Sequence, residues 1–207
     1  MTNERFNKFS IPLGLLDYVN PIFYTITIAT IIKNTPFNII LLIGAILSIL
    51  FGFVIPTGKV IVGLGIIKFR MPVSLVFCVN TGILLSGLML LKYVLNIDLI
   101  ILLIILFTIL ILLLLIYNKT KKFNTVAVLI GAFGYLMLYT ALITLSIKQG
   151  LIMPIILFAI AILLFVMLCV IGIKANLKNP KVHWVIEISN VICQMLVAIG
   201  TLIVFSK

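Results

Sequence analysis

The residues able to do chemistry concentrate on one segment. His183, Glu187, Asn190 and Gln194 are spaced 4, 3 and 4 apart. At about 3.6 residues per turn that spacing places them on a single stripe of a helix, and Thr201 continues it. A carboxylate can hold a proton or a cation, and the amides beside it offer neutral hydrogen bonds. Other strongly polar residues stand inside apolar runs: Asp17, Asn20 directly before Pro21, and Asn80. The candidate substrate- or ion-binding set is therefore Asp17, Asn20, Asn80, His183, Glu187, Asn190 and Gln194. Each member also has a plainer reading. Glu187 can pair with Lys181, Arg70 or His183 near an interface. Asp17 can be protonated or hydrogen-bonded across helices. The amides can join helices, and His183 can be an interface residue. The collective pattern carries the site reading.

Other chemistries find no support. No Ser–His–Asp or Cys–His arrangement and no HExxH, GxSxG or phosphate-loop motif is present. With one histidine, a zinc site of the usual kind has too few ligands. Cys78, Cys169 and Cys193 lie in apolar runs without CxxC spacing and read as inert buried thiols. No cofactor or metal is expected. His183 and Cys193 are about 15 Å apart along a helix, too far to touch.

The elements that must position these residues follow from hydropathy. The 207-residue chain is 64% hydrophobic and 9% charged, with a mean hydropathy of +1.44. A soluble surface needs far more charge, whereas lipid demands runs of about 20 apolar residues. Six such runs are plain, near 37–55, 71–91, 98–117, 125–147, 151–173 and 184–205. In hydrocarbon the backbone must satisfy itself, and these runs lack the alternation of barrel strands, so all are helices. No cleavable signal peptide is expected, since no small-residue cleavage site follows a short apolar core.

Segment 11–32 is long enough to span but carries Asp17, Asn20 and Pro21, and a central Asp costs about 2.5–3.5 kcal/mol on the insertion scale. The basic residues arbitrate. If it spans, one side holds Arg5, Lys8, Lys59, Lys68, Arg70, Lys119, Lys121, Lys122, Lys174, Lys178 and Lys181, and the other holds Lys33, Lys92, Lys148 and Lys207. If it does not, the split weakens to 9 against 6. The positive-inside rule selects seven spans, N-terminus in the cytoplasm and C-terminus outside. The fold class expected is thus all-α: a single integral membrane domain over 1–207, a polytopic bundle of seven transmembrane helices.

Several finer expectations follow. Run 98–117 is nearly all Leu and Ile, so it belongs at the lipid-facing edge, with Asp98 as its N-cap. Spans one to three and five to seven run the same way, which allows a weak three-plus-one-plus-three repeat. Gly44, Ser48 and Gly52, and Ala127 with Gly131, are small residues at four-residue spacing that admit close helix approach. Loop 56–70 reads as cytoplasmic and glycine-punctuated, with an apolar centre suited to an interfacial hairpin. On this layout no Lys or Arg lies inside a span. Trp184 and Tyr117 sit at span ends as interface anchors.

Depth then organises the polar set. At 1.5 Å per residue, Asp17 lies roughly 9 Å in from the cytoplasmic face, Asn20 and Asn80 roughly 13 Å, Glu187 roughly 5 Å and Gln194 roughly 15 Å. Pro21 removes a backbone donor and frees a carbonyl near Asp17. The expectation is a polar cavity facing the cytoplasm and closed toward the outside. The function expected is transport of a small solute or ion, linked to a cation or proton, by a transporter or transporter subunit. The alternatives are an accessory, regulatory or immunity-type membrane protein without its own chemistry, and a membrane-embedded lipid-modifying enzyme. The expected partners are the lipid bilayer, a small polar or cationic ligand, and a membrane protein partner or second copy. The net charge of +11 lies in short loops and points to phospholipid and topology, and no nucleic-acid partner is expected. The wealth of Ile, Lys and Asn suits an AT-rich bacterial genome and hence a plasma membrane.

Overall fold

The computed structural model describes residues 11–66, 73–174 and 180–206. Among them are eight α-helices and no strand: α1 (Ile11–Asp17), α2 (Val19–Asn34), α3 (Ile39–Gly63), α4 (Val73–Leu95), α5 (Leu99–Thr120), α6 (Phe123–Lys148), α7 (Ile152–Lys174) and α8 (Pro180–Phe205). Helices α1 and α2 form one span, so the described residues hold seven helical spans long and apolar enough to cross a membrane. The ambiguous first segment is one of them.

That first span is broken where proline chemistry predicts. Pro21 has no N–H to give the Asp17 carbonyl. The Tyr18 N–H instead reaches the Leu15 carbonyl at 3.2 Å, and Ile22 N–H resumes the helical pattern on the Tyr18 carbonyl at 3.3 Å. The kink lies between Asp17 and Asn20.

The spans close into a ring. The α1–α2 span packs on α3 and α8, α3 on α4, α4 on α6, α6 on α7, and α7 on α8. Helix α5 stands outside, against α6. This is the edge position expected of a helix apolar on every side, and side chains such as Ile100, Ile104 and Phe107 are exposed.

Small residues set the tightest crossings. A methyl group on Gly44 would fall 2.8 Å from the Gly82 carbonyl oxygen, and one on Gly82 would fall 2.6 Å from the Ser48 backbone nitrogen. Gly52 faces Pro21 instead, at 3.4 Å on the same measure. The α4–α6 crossing adds a pair that spacing did not reveal, Gly87 against Gly134. A methyl group on Gly134 would lie 2.6 Å from the Leu84 backbone nitrogen.

Three expectations need correction. Helix α3 does not end near residue 55 but runs on through Pro56 to Gly63, so much of the expected interfacial hairpin is helix. Residues 67–70 of that loop lie outside the described residues. The Pro-Thr-Gly-Lys sequence at 56–59 reads as a turn, yet Thr57 bonds back to the Phe53 carbonyl at 2.7 Å and the helix continues. Lys59 therefore sits inside a span, contrary to the expectation that no basic residue does. Asp98 occupies the N-cap position of α5, but its side chain makes no capping hydrogen bond.

Candidate functional site

Three charged side chains from three spans meet at one end of the bundle. The Lys59 ammonium on α3 lies 2.6 Å from Asp17 Oδ2, at the end of α1, and 2.9 Å from Glu187 Oε1 on α8. Only 11% of each side chain is exposed. The α8 stripe supplies Glu187, the α1–α2 break presents Asp17, and the extra turns of α3 past Pro56 carry Lys59 between them. Two carboxylates facing one ammonium leave a formal charge of −1. Buried charges are tolerated only when paired and hydrogen-bonded, which explains why the helix can carry Lys59 this deep.

Asn20 joins the cluster from α2. Its Nδ2 donates to Asp17 Oδ1 at 3.0 Å and approaches Glu187 Oε2 at 3.5 Å. A carboxylate can only accept, so these contacts settle the amide orientation: nitrogen toward the acids, oxygen away. Asn20 is 8% exposed, and among the described residues its Oδ1, like Asp17 Oδ2, has no hydrogen-bond partner of normal geometry. At the rim, Tyr18 and Thr57 hydroxyls bond at 2.7 Å, tying α1–α2 to α3 once more.

A cavity of about 150 Å³ opens beside the cluster. Asp17, Asn20, Asn190 and Gln194 line it, as do Tyr24, Ser48 and Tyr135. A water needs about 10–15 Å³ on this scale, so the space admits several waters or a small molecule, and it is well below the size of drug-like sites. Gln194 Nε2 donates to the Tyr135 hydroxyl at 3.0 Å. The Tyr24 hydroxyl stands near Ser48 and Ser86 without a hydrogen bond of normal geometry. Farther in, Tyr139 meets Cys193 at 3.5 Å, and Cys193 donates to the Ala161 carbonyl at 3.3 Å. Pro21 and Gly52, together with apolar residues such as Val79 and Ile83, complete the walls.

The structure thus brings Asp17, Asn20, Glu187, Asn190 and Gln194 to one place. Asn80 and His183 stand apart from the cavity. Asn80 Nδ2 donates to the Ala127 carbonyl at 2.7 Å, and its side chain fills the space above Gly131, so it joins α4 to α6. His183 lies one turn before Glu187 and is half-buried. Lys59, Tyr24 and Tyr135 were missed as members of the site. Lys59 was hidden by the turn-like residues around it. The depth of Tyr135 was legible in its sequence position, but its partner was not. No group of three or more His, Cys, Asp or Glu residues among the described residues is placed to hold a metal ion.

No known family model, curated relative or solved structure matches the chain.

Proposed function

We propose that this multi-pass membrane protein is a transporter, or a transporter subunit, for a small solute or ion, and that cation or proton movement is coupled through Asp17, Lys59 and Glu187. One observation carries the reading: an ion cluster shared by three spans stands beside a cavity that its Asp17 lines together with Asn20, Asn190 and Gln194. Broken helices and intramembrane carboxylates are where transporters bind ions and substrates. The Lys59 ammonium already acts as a cation in the site. A proton or a second cation arriving at either carboxylate competes with it, and losing either contact loosens one helix from the others. That exchange provides the coupling.

The positive-inside rule puts the cluster at the cytoplasmic end of the bundle, because the basic residues outside the spans concentrate there. The same rule places the C-terminus outside. A C-terminal reporter that works only in the cytoplasm should stay silent, and full signal would reverse the assignment. In proteoliposomes carrying a pH-sensitive dye, an imposed sodium or organic-cation gradient should move protons, and Glu187→Gln should abolish the movement. Cation-independent signals identical in wild type and Glu187→Gln would overturn the transport reading.

A second reading, an accessory or regulatory protein, rests on the completeness of the ion pairs. In that case the cluster is a clamp between spans and the cavity holds water only. The lipid-enzyme reading gains less support. The thiol on the same helix as His183, Cys193, faces Tyr139 and a carbonyl, not Glu187.

A further inference from the structure

Building on the transport reading, the geometry points to a small uncharged carboxamide as the ligand of this cavity, held by the Gln194–Tyr135 pair and by Asn190. Such a molecule carries an N–H donor and a carbonyl acceptor side by side, on a short apolar tail. The ion pairs of Lys59 with Asp17 and Glu187 stay intact beside it.

Hydrogen-bonding groups are left open on the cavity wall. Gln194 and Tyr135 both line it, and one bond of 3.0 Å joins the amide to the hydroxyl. A hydroxyl can give or take, so this contact fits either orientation of the amide. With Nε2 on the hydroxyl, Oε1 and the hydroxyl proton stay unused. With Oε1 on the hydroxyl, Nε2 and the hydroxyl lone pairs do. Either way the pair presents one donor and one acceptor next to each other, and no group among the described residues takes them. Gln194 is only 4% exposed, yet the open end of its amide is not sealed behind other atoms as the Asn20 oxygen is. A buried amide with an unmet end is costly. A carboxamide closes a ring of bonds with this pair in either orientation, because its N–H and C=O lie side by side. Asn190 lines the same cavity, and its amide too has no partner among the described residues.

The charge balance selects a neutral molecule. Among the described residues, Asp17 is the only carboxylate that lines the cavity, and no Lys, Arg or His lines it. Asp17 Oδ2 is held by the Lys59 ammonium and Oδ1 by the Asn20 amide. A cation entering the cavity must displace one of these partners to gain a carboxylate, and an anion meets the cluster's excess negative charge. Either is buried at a cost that a neutral ligand does not bear. Pro21, Ile55, Val79 and Ile83 supply the apolar walls. They give a short aliphatic tail its place and offer water no hydrogen bond, so the space of about 150 Å³ suits a carboxamide better than water alone.

Four probes of nearly one shape separate charge from hydrogen bonding. Acetamide is neutral and both donates and accepts, acetone only accepts, acetate is an anion and acetamidinium a cation. Each is titrated calorimetrically into the purified full-length protein at constant ionic strength. Wild type should bind acetamide saturably and about tenfold or more tightly than the other three. Tyr135→Phe keeps the ring and removes the hydroxyl, so the preference for acetamide over acetone should fall by about fivefold. Should Tyr135→Phe fail to fold, the wild-type series decides alone. Acetone binding as well as acetamide would overturn the inference, because the cavity would then select apolar volume only. Tighter binding of acetamidinium would overturn it while leaving a cation transporter standing, and tighter binding of acetate would overturn it as well. No binding of any of the four would mean that the cavity holds water, and the inference falls. The transport reading is judged separately by proton movement in the dye-loaded proteoliposomes. Selective acetamide binding without any gradient-driven proton movement would keep the ligand and remove the transporter.

Discussion

The two ends of the bundle use polar side chains in opposite ways. At the Lys59 end, Asp17, Asn20, Lys59 and Glu187 bond across helices, and Tyr18 meets Thr57 the same way. At the other end, Asn34 bonds the carbonyl of Thr30, Thr35 that of Ile31, Ser146 that of Leu142 and Thr201 that of Val197, each within or at the end of its own helix. Asn38 caps α3 by accepting from Ile40 and Leu41. Lys148 is the exception, donating across to the Val94 carbonyl at the end of α4. A side chain satisfied by its own helix is indifferent to where the neighbouring helix lies. One satisfied by a neighbour is not. The difference teaches that bonds a moving helix would break or a ligand could replace concentrate at the Lys59 end, while the far end, Lys148 apart, holds the helices by packing.

That contrast can be broken or sharpened in order of expected effect. Removing the shared cation by Lys59→Ala leaves two buried carboxylates facing each other, and should cost about 3–5 kcal/mol in detergent unfolding. Combining it with Glu187→Gln should recover part of the loss. A cost below about 1 kcal/mol would mean that the cluster is solvated like a surface pair. Gly134→Ala forces a methyl group into the α4 backbone at Leu84 and should cost about 1–3 kcal/mol through overpacking. Its ligand response should survive, because the crossing holds the scaffold and not the site. Asn80→Ala removes the bond to the Ala127 carbonyl and should cost about 0.6–2 kcal/mol. Unchanged gradient-driven proton movement would keep Asn80 in the scaffold, and lost movement would return it to the site. Smallest is Thr201→Val, whose hydroxyl serves only its own helix; a change within about 0.5 kcal/mol is expected. A loss several times larger would show that the far end also depends on bonds between helices.

Much of this molecule follows from the order of residues alone. Lipid leaves the backbone no hydrogen-bond partner, so every long apolar run had to be a helix, and the distribution of Lys and Arg counted in the broken first segment as a seventh span. The stripe on α8 was legible because helical spacing is fixed, and the break before Pro21 because proline lacks an N–H. The apolar character of α5 already implied its place at the edge. Lys59 marks where that reasoning stopped. Pro56, Thr57 and Gly58 carry turn signals, and a lysine in hydrocarbon is prohibitively costly when considered alone. Its cost falls only beside two carboxylates, one 42 positions earlier and one 128 positions later. The tertiary structure likewise sent Asn80 to the α4–α6 crossing and left the Asn20 oxygen without a donor. Local sequence sets what each helix can tolerate in isolation. Which charges and amides neutralise one another depends on contacts between helices, and those exist only once the ring has closed.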